Sequence, residues 1–133
     1  MWVNDIQTAV FSKIQSRTTA QFRKRFPNIF FTKSARVSKD PSFPTIYVQK
    51  MQGAERGQDL EGTSINAVLS SFQIEVTDNG ENDSVANEIA WFICGVMKSM
   101  RYQMMGEPIT DETDSTFRVI ARYQRIVGFG DEL

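Results

Sequence analysis

The alternation in residues 116–128, Thr-Phe-Arg-Val-Ile-Ala-Arg-Tyr-Gln-Arg-Ile-Val-Gly, constrains the fold more than any other stretch of the chain. One set of alternate positions is apolar: Phe117, Val119, Ala121, Tyr123 and Val127. The other set mixes cations with aliphatic side chains: Arg118, Ile120, Arg122 and Ile126. A period of two predicts a strand with one face in the core. The second face is too apolar for ordinary solvent and too charged for a core, which indicates a surface that meets another protein subunit.

Composition places the chain among ordinary globular proteins. Its 133 residues match one domain, with 41% hydrophobic and 23% charged residues. The single cysteine, Cys94, excludes an internal disulfide framework. Because the longest apolar stretch, residues 89–97, is too short to span a bilayer, we expect no membrane contact. The amino-terminal residues lack the pattern of a secretory signal.

The sequence predicts no catalytic residue, no bound cofactor and no metal site. With no histidine, neither Ser-His-Asp nor Cys-His machinery can form, and the chain has no Cys/His zinc pattern or glycine-rich phosphate loop. The available paired carboxylates, Asp59 with Glu61 and the group at 111–114, fall in segments predicted to be polar turns. The acidic group lacks the spacing of an EF-hand, so we interpret it as a solvated turn.

Two helices are predicted from apolar positions recurring every three or four residues. The first covers residues 4–25, with a stripe formed by Ile6, Ala9, Val10 and Ile14. The second covers about 83–101, and its stripe contains Val85, Ile89, Phe92, Ile93, Val96, Met97 and Met100. Cys94 flanks this second stripe and is predicted to be a small buried hydrophobic residue. The second helix should supply most of the core.

Strands are predicted at residues 29–32, 43–51, 67–77 and 116–128, and a further one is possible at 102–105. In 67–77, Val68, Phe72, Ile74 and Val76 should share one face. The resulting order is helix, three strands, helix, two strands. We therefore expect one α+β domain over residues 1–133, with a mostly antiparallel sheet of four to five strands and two helices packed on it.

The segment 52–64 is predicted to be a long hairpin loop. It contains three glycines, four charged residues and one large apolar residue, Leu60. Connections of this length are usually functional or disordered, and the sequence leaves both possibilities open.

Charge is distributed unevenly along the chain. Residues 1–50 carry nine Lys/Arg and two acids, whereas residues 51–133 carry six Lys/Arg and fourteen acids. Folding can mix the two halves, or the asymmetry can serve different neighbours or a nucleic acid. Basic residues at 23–25, 33, 36 and 39 interleave with Phe26, Phe30 and Phe31, as in single-strand binders. However, 29–31 is apolar enough to be a core strand.

Several of these segments together resemble a known family. They are RKRFPN at the end of the first helix, FPTIYV in the second strand, FQIEV at the end of the third, the DNG turn, the amphipathic helix and the final FRVIARYQRIVG. This series, from about residue 4 to residue 128, is similar to the tail terminator (tail completion) proteins of long-tailed bacteriophages. The clearest markers are Phe43-Pro44-Thr45, and Arg118 with Ala121-Arg122-Tyr123.

The resemblance implies a structural virion protein of the tail or neck, assembled in the host cytoplasm. Its subunits form a ring, usually a hexamer, that caps the tail tube, stops its polymerisation and offers a surface to the head connector. Genomic DNA passes through the ring without sequence-specific binding. The resemblance assigns the 52–64 loop to the tube protein, with contacts expected at Arg56, Asp59, Leu60 and Glu61. It assigns Arg118, Ile120, Arg122 and Ile126 to the subunit interface. The alternatives are another neck protein (stopper or adaptor) and a small nucleic-acid-binding domain.

Overall fold

The apolar periodicities correspond to two helices and six strands in the computed structural model, which describes residues 2–33, 42–58, 65–113, 115–128, 131 and 133. The elements in chain order are α1 (Trp2–Phe22), β1 (Phe30–Thr32), β2 (Thr45–Gln58), β3 (Ile65–Asp78), α2 (Ser84–Ser99), β4 (Gln103–Met104), β5 (Ile109–Glu112) and β6 (Phe117–Gly128). These elements confirm an α+β fold with two helices packed on one sheet.

The sheet is mixed and has six strands, one more than the largest number expected from the sequence. Its order is β1-β2-β3-β6-β4, and β5 also pairs with β6. β1 runs parallel to β2, while the remaining pairs are antiparallel. The additional strand is β5. The prediction of an acidic turn at 111–114 was wrong for Asp111 and Glu112, which lie in β5 opposite Arg118 and Phe117. An opposite charge on the neighbouring strand offsets the low strand propensity of Asp111.

The core lies between one face of the sheet and α2. Ile89, Ile93 and Met97 are fully buried, and Cys94 is only 5% exposed, which confirms its predicted burial. The sheet contributes the buried side chains Ile46, Val48, Phe72, Ile74, Val76, Val119, Ala121, Tyr123 and Val127. These alternate along β2, β3 and β6, so the predicted inward faces of β3 and β6 are confirmed. Burial of these side chains is the main source of the stability of the fold.

α1 packs against α2 through side chains placed four residues apart. Ile6, Val10, Ile14, Thr18 and Phe22 are all buried, whereas Ala9, predicted as part of the stripe, is exposed. Steps of four residues drift round a helix with 3.6 residues per turn, so the buried line winds along α1. At the end of this line, Phe22 packs edge-on against Phe92, with ring centroids 5.2 Å apart. The helix ends at Phe22, three residues before the predicted end at 25.

β2 and β3 form a longer hairpin than the sequence indicated. β2 continues to Gln58, and the ladder pairs Ala54 with Leu69, Arg56 with Ala67 and Gln58 with Ile65. The predicted loop at 52–64 therefore began too early, because residues 52–58 belong to the strand. A register irregularity between Met51 and Ala54 lets this glycine-containing stretch stay paired. Asp59, Leu60 and Glu61 lie outside the described residues.

Candidate subunit interface

α2 packs on one face of the sheet and α1 packs against α2. The opposite face, here called the helix-free face, carries the other alternate residues. Its central strands contribute Thr45, Tyr47, Gln49 and Met51 from β2, Leu69, Ser71, Gln73, Glu75 and Thr77 from β3, and Arg118, Ile120, Arg122, Gln124 and Ile126 from β6. All four residues predicted for the subunit interface lie on this face. The alternation of side chains along a strand places them together.

Aliphatic side chains protrude at two places on the helix-free face. Ile126 is 57% exposed beside half-buried Leu69, its partner in the β3–β6 ladder. Ile109, on β5, is 65% exposed and lies opposite half-buried Ile120. Each pair forms a small apolar patch at a different end of β6. A single exposed aliphatic residue is ordinary, but paired patches on a sheet face without a helix layer suit a protein contact.

Arg118 joins three strands of the sheet. Its guanidinium forms ion pairs with Glu75 on β3, at 3.1 Å, and with Asp111 on β5, at 2.7 Å. Glu75 is only 8% exposed, so the cation offsets the cost of removing that carboxylate from water. Arg118 therefore has a structural role within the subunit. The sequence pattern located its face correctly but could not identify partners on distant strands.

Arg122 keeps its charge in solvent. Its Nε donates a hydrogen bond of 2.9 Å to Oε1 of Gln73, the residue opposite it in the β3–β6 ladder. The side chain is exposed, and among the described residues it has no carboxylate partner. Of the two arginines predicted for the interface, Arg122 is thus the one whose charge is available to another chain.

A groove of about 370 Å³ opens beside Ile126 at the end of β6. Its lining contains residues that the sequence analysis missed, and it comprises Leu69, Arg101, Gln103, Gln124, Arg125 and Ile126. Arg101 is exposed and adopts a φ of 67°, in the left-handed region. No local sequence pattern indicates this groove, because Arg101 and Gln103 reach it through the pairing of β4 with β6.

Arg125 interrupts the apolar face of β6, yet its side chain is only 7% exposed. Its guanidinium donates hydrogen bonds to the carbonyl of Met100, at 2.8 Å, and to Oδ2 of Asp131, at 3.3 Å. The same group lies 6.0 Å from the centroid of the Tyr102 ring. These partners use most of its donors. Arg125 is therefore a poor candidate for binding a ligand, although it lines the groove.

The edge of β6 beyond its pairing with β4 is capped within the chain. Oδ2 of Asp131 accepts from the amide of Gly128 at 2.7 Å, and the amide of Asp131 donates to the carbonyl of Gly128 at 3.0 Å. Nε of Arg125 donates to the carbonyl of Ile126 at 3.3 Å. Groups that a partner strand would need are thus already bonded. Any contact here must use side chains instead of an added strand.

The basic segment after α1 is partly used inside the subunit. Arg25 forms two contacts with Glu88, at 2.5 and 3.1 Å, and lies 5.1 Å from the centroid of the Phe26 ring. The hydrogen bond from Arg25 lowers the pKa of the Glu88 carboxyl below its ordinary value. Ile29 and Phe31 pack against the core, while Phe30 is 48% exposed. The aromatic residues therefore do not form a continuous stacking surface, and positions 36 and 39 lie outside the described residues.

Two further findings concern the part of the chain that the structure describes. It contains no cluster of three or more residues suited to hold a metal ion. Neither α1 nor α2 has the length and apolarity required to cross a membrane.

Comparison with models of known families gives no match, and comparison with curated proteins gives no significant match either.

Proposed function

We propose that this protein is a phage tail terminator, a subunit of a ring that caps the tail tube and ends its polymerisation. The observation that carries the proposal is the helix-free face, where exposed Ile126 and Ile109 lie among charged and amide side chains. A face of this kind suits repeated contacts between copies of one chain. The sequence segments similar to tail terminators are the reason for placing this assembly at the end of a phage tail.

The hairpin of β2 and β3 is the proposed contact with the tube protein. Arg56 lies in its paired part, opposite Ala67, and Asp59, Leu60 and Glu61 follow in the sequence. An apolar residue between two carboxylates can combine burial with charge-dependent specificity. The proposal includes a head connector on the other side of the ring. It also includes DNA passing through the ring without base-specific contacts.

The distribution of cations favours this proposal over a nucleic-acid-binding domain. Arg25 is bound to Glu88, Arg118 to Glu75 and Asp111, and Arg125 to Asp131. A backbone-tracking groove needs several unpaired cations along one path, and these three arginines are already paired within the subunit.

The test of ring formation uses a variant with changes on the helix-free face, Arg122→Glu with Ile126→Asp. We expect purified wild-type protein to form rings visible by electron microscopy and the variant to stay monomeric in sedimentation equilibrium. Both side chains are exposed, so thermal unfolding should remain cooperative. Lys24→Glu, an exposed change on the basic segment after α1, is the control and should form rings normally.

Arg118 is left out of this test. Replacing it with Glu would place a third carboxylate beside Glu75 and Asp111, so lost assembly could not be separated from lost folding. The capping step is tested separately, by polymerising the tube protein of the same virus with and without added rings. Tubes that continue to grow past bound rings, or wild-type protein that never forms rings, would contradict the proposed function.

A further inference from the structure

The groove beside Ile126 offers one unpaired cation next to an apolar surface. Arg101 is exposed and makes no ion pair with the described carboxylates, whereas the neighbouring Arg125 is bound to Asp131. Leu69 and Ile126 supply aliphatic surface, and Gln103 and Gln124, paired across β4 and β6, supply amide donors and acceptors. This combination suits a segment with one carboxylate and one aliphatic side chain.

The same chain carries a segment of that composition elsewhere on the same sheet edge. Between β4 and β5 the chain turns at Gly106, whose φ is 76°, and continues through Glu107 to Ile109. Glu107 is exposed and has no ion-pair partner among the described residues. Ile109 is 65% exposed and Met105 is 49% exposed. This segment, 105–109, is called the knuckle below.

The knuckle cannot occupy the groove of its own subunit. Met105 donates to the carbonyl of Arg122, and Ile109 pairs with Ile120, so Glu107 lies beside the middle of β6. Arg101 precedes Gln103, which pairs with Gln124 nearer the end of β6. At about 3.3 Å per residue, Glu107 and Arg101 are therefore separated by roughly 15 Å along the edge of β6. Both are held in place by pairing with the same strand.

We infer that the groove of one subunit receives the knuckle of a second copy, with Glu107 against Arg101 and Ile109 against Leu69 and Ile126. Two complementary patches at different places on one chain allow copies to associate head to tail, an arrangement that can close into a ring. The ionic contact supplies specificity and the aliphatic contact supplies burial. Strand addition is not the mode, because the end of β6 is capped by Asp131 and Arg125. The inference rests on the proposed function only in taking other copies as partners of this face.

The test uses two charge-reversal variants that repel themselves but complement each other. Arg101→Glu places an acid in the groove against Glu107, and Glu107→Arg places a cation on the knuckle against Arg101. Each variant alone should associate at least about tenfold more weakly than wild type, since like charges meet at every contact. An equimolar mixture should recover association, because each contact then joins opposite charges. Sedimentation velocity over a concentration series measures all four samples.

Controls separate association from folding. Because Arg101 has a left-handed backbone, Arg101→Gly serves as a second groove variant that removes the charge without adding strain. It should weaken association less than Arg101→Glu, and no mixture should restore it fully. Thermal unfolding of every variant should stay within a few degrees of wild type, since both side chains are exposed.

Several outcomes would overturn the inference. The wild type could be monomeric at all concentrations, or both charge-reversal variants could self-associate as strongly as wild type. The equimolar mixture of Arg101→Glu and Glu107→Arg could also fail to recover association. Binding of Arg101 to a nucleic acid, seen as oligonucleotide affinity lost in Arg101→Glu with association unchanged, would equally contradict it. A monomeric wild type would contradict the proposed function as well. The proposed function alone fails if the mixture recovers association but the assemblies do not stop growth of the tail tube.

Discussion

Two buried tyrosines illustrate how differently the same side chain can be accommodated. The hydroxyl of Tyr102 is 2.8 Å from Oγ of Ser70, and both residues are buried. The hydroxyl of Tyr123 has no hydrogen-bond partner among the described residues, although the thiol of Cys94 is a neighbour. Tyr123 thus places an uncompensated polar atom in the core, which lowers stability.

The corresponding Phe substitutions should have opposite effects on stability. Tyr123→Phe removes only the unpaired hydroxyl, so the free energy of unfolding should stay equal or rise by up to about 1 kcal/mol. Tyr102→Phe deletes the hydrogen bond and leaves Ser70 unpaired, so it should lower that free energy by about 1 kcal/mol or more. Urea unfolding followed by circular dichroism measures both. A larger loss for Tyr123→Phe than for Tyr102→Phe would show that the phenol of Tyr123 has a partner.

Both phenols also predict sensitivity to alkaline pH. Burial raises the pKa of Tyr102 and of Tyr123 above the ordinary value, which is about 10 in an unfolded chain. The folded state therefore keeps protons that the unfolded state releases. The stability contributed by these phenols is full below about pH 10 and falls as pH rises above it. In urea titrations from pH 8 to pH 11, Tyr123→Phe should flatten this decline, and an unchanged slope would contradict the assignment.

At the scale of elements, β5 depends on a neighbour for its position. It has four residues, of which Ile109, Thr110 and Glu112 are exposed. It pairs with β6, and the ion pair between Asp111 and Arg118 links it to the same strand. Short exposed elements with few buried contacts are the first to open. Arg118 therefore stabilises β5 as well as the carboxylate of Glu75.

Neutralising Arg118 should destabilise the subunit more than neutralising Arg122. Arg118→Gln leaves Glu75, 8% exposed, without its cation and should lower the free energy of unfolding by about 1–2 kcal/mol. Amide exchange in β5 should become faster. The matched change Arg122→Gln loses only an exposed hydrogen bond and should stay within about 0.5 kcal/mol of wild type. Equal effects of the two variants would mean that the contacts of Arg118 contribute little.

The elements that the sequence predicted well are those whose burial follows a simple period. α2 and β6 bury one regular face, so the positions of Ile93 and Val119 could be inferred from spacing alone. The extension of β2 through Gln58 could not, since its glycines disfavour a strand and the pairing partners that stabilise it lie on β3. The partners of Arg118 and the groove at Arg101 arise from tertiary contacts, which a single sequence does not encode locally.

At the scale of the whole molecule, the ladder pair of Gln58 with Ile65 defines how the hairpin can be shortened. Replacing residues 59–64 by Asn-Gly leaves two residues between these partners, the length of a tight antiparallel turn. The described core should be unaffected, so unfolding and association should match wild type. Under the proposed function, capping of tail tubes should be lost because Leu60 and its flanking acids are removed. A variant that still stops tube growth would exclude this segment as the tube contact.

β6 pairs with β3, β4 and β5, and it follows the other described helices and strands in the chain. During synthesis, the earlier elements therefore leave the ribosome before the strand that joins them exists. Among the described strands, β4 and β5 pair only with β6, so they have no strand partner until residues 117–128 emerge. Distant pairings of this kind form slowly and expose apolar surface meanwhile. We therefore expect a chain interrupted before residue 117 to leave exposed the apolar side chains that β6 would cover, and to be digested by protease more readily than a chain that includes β6.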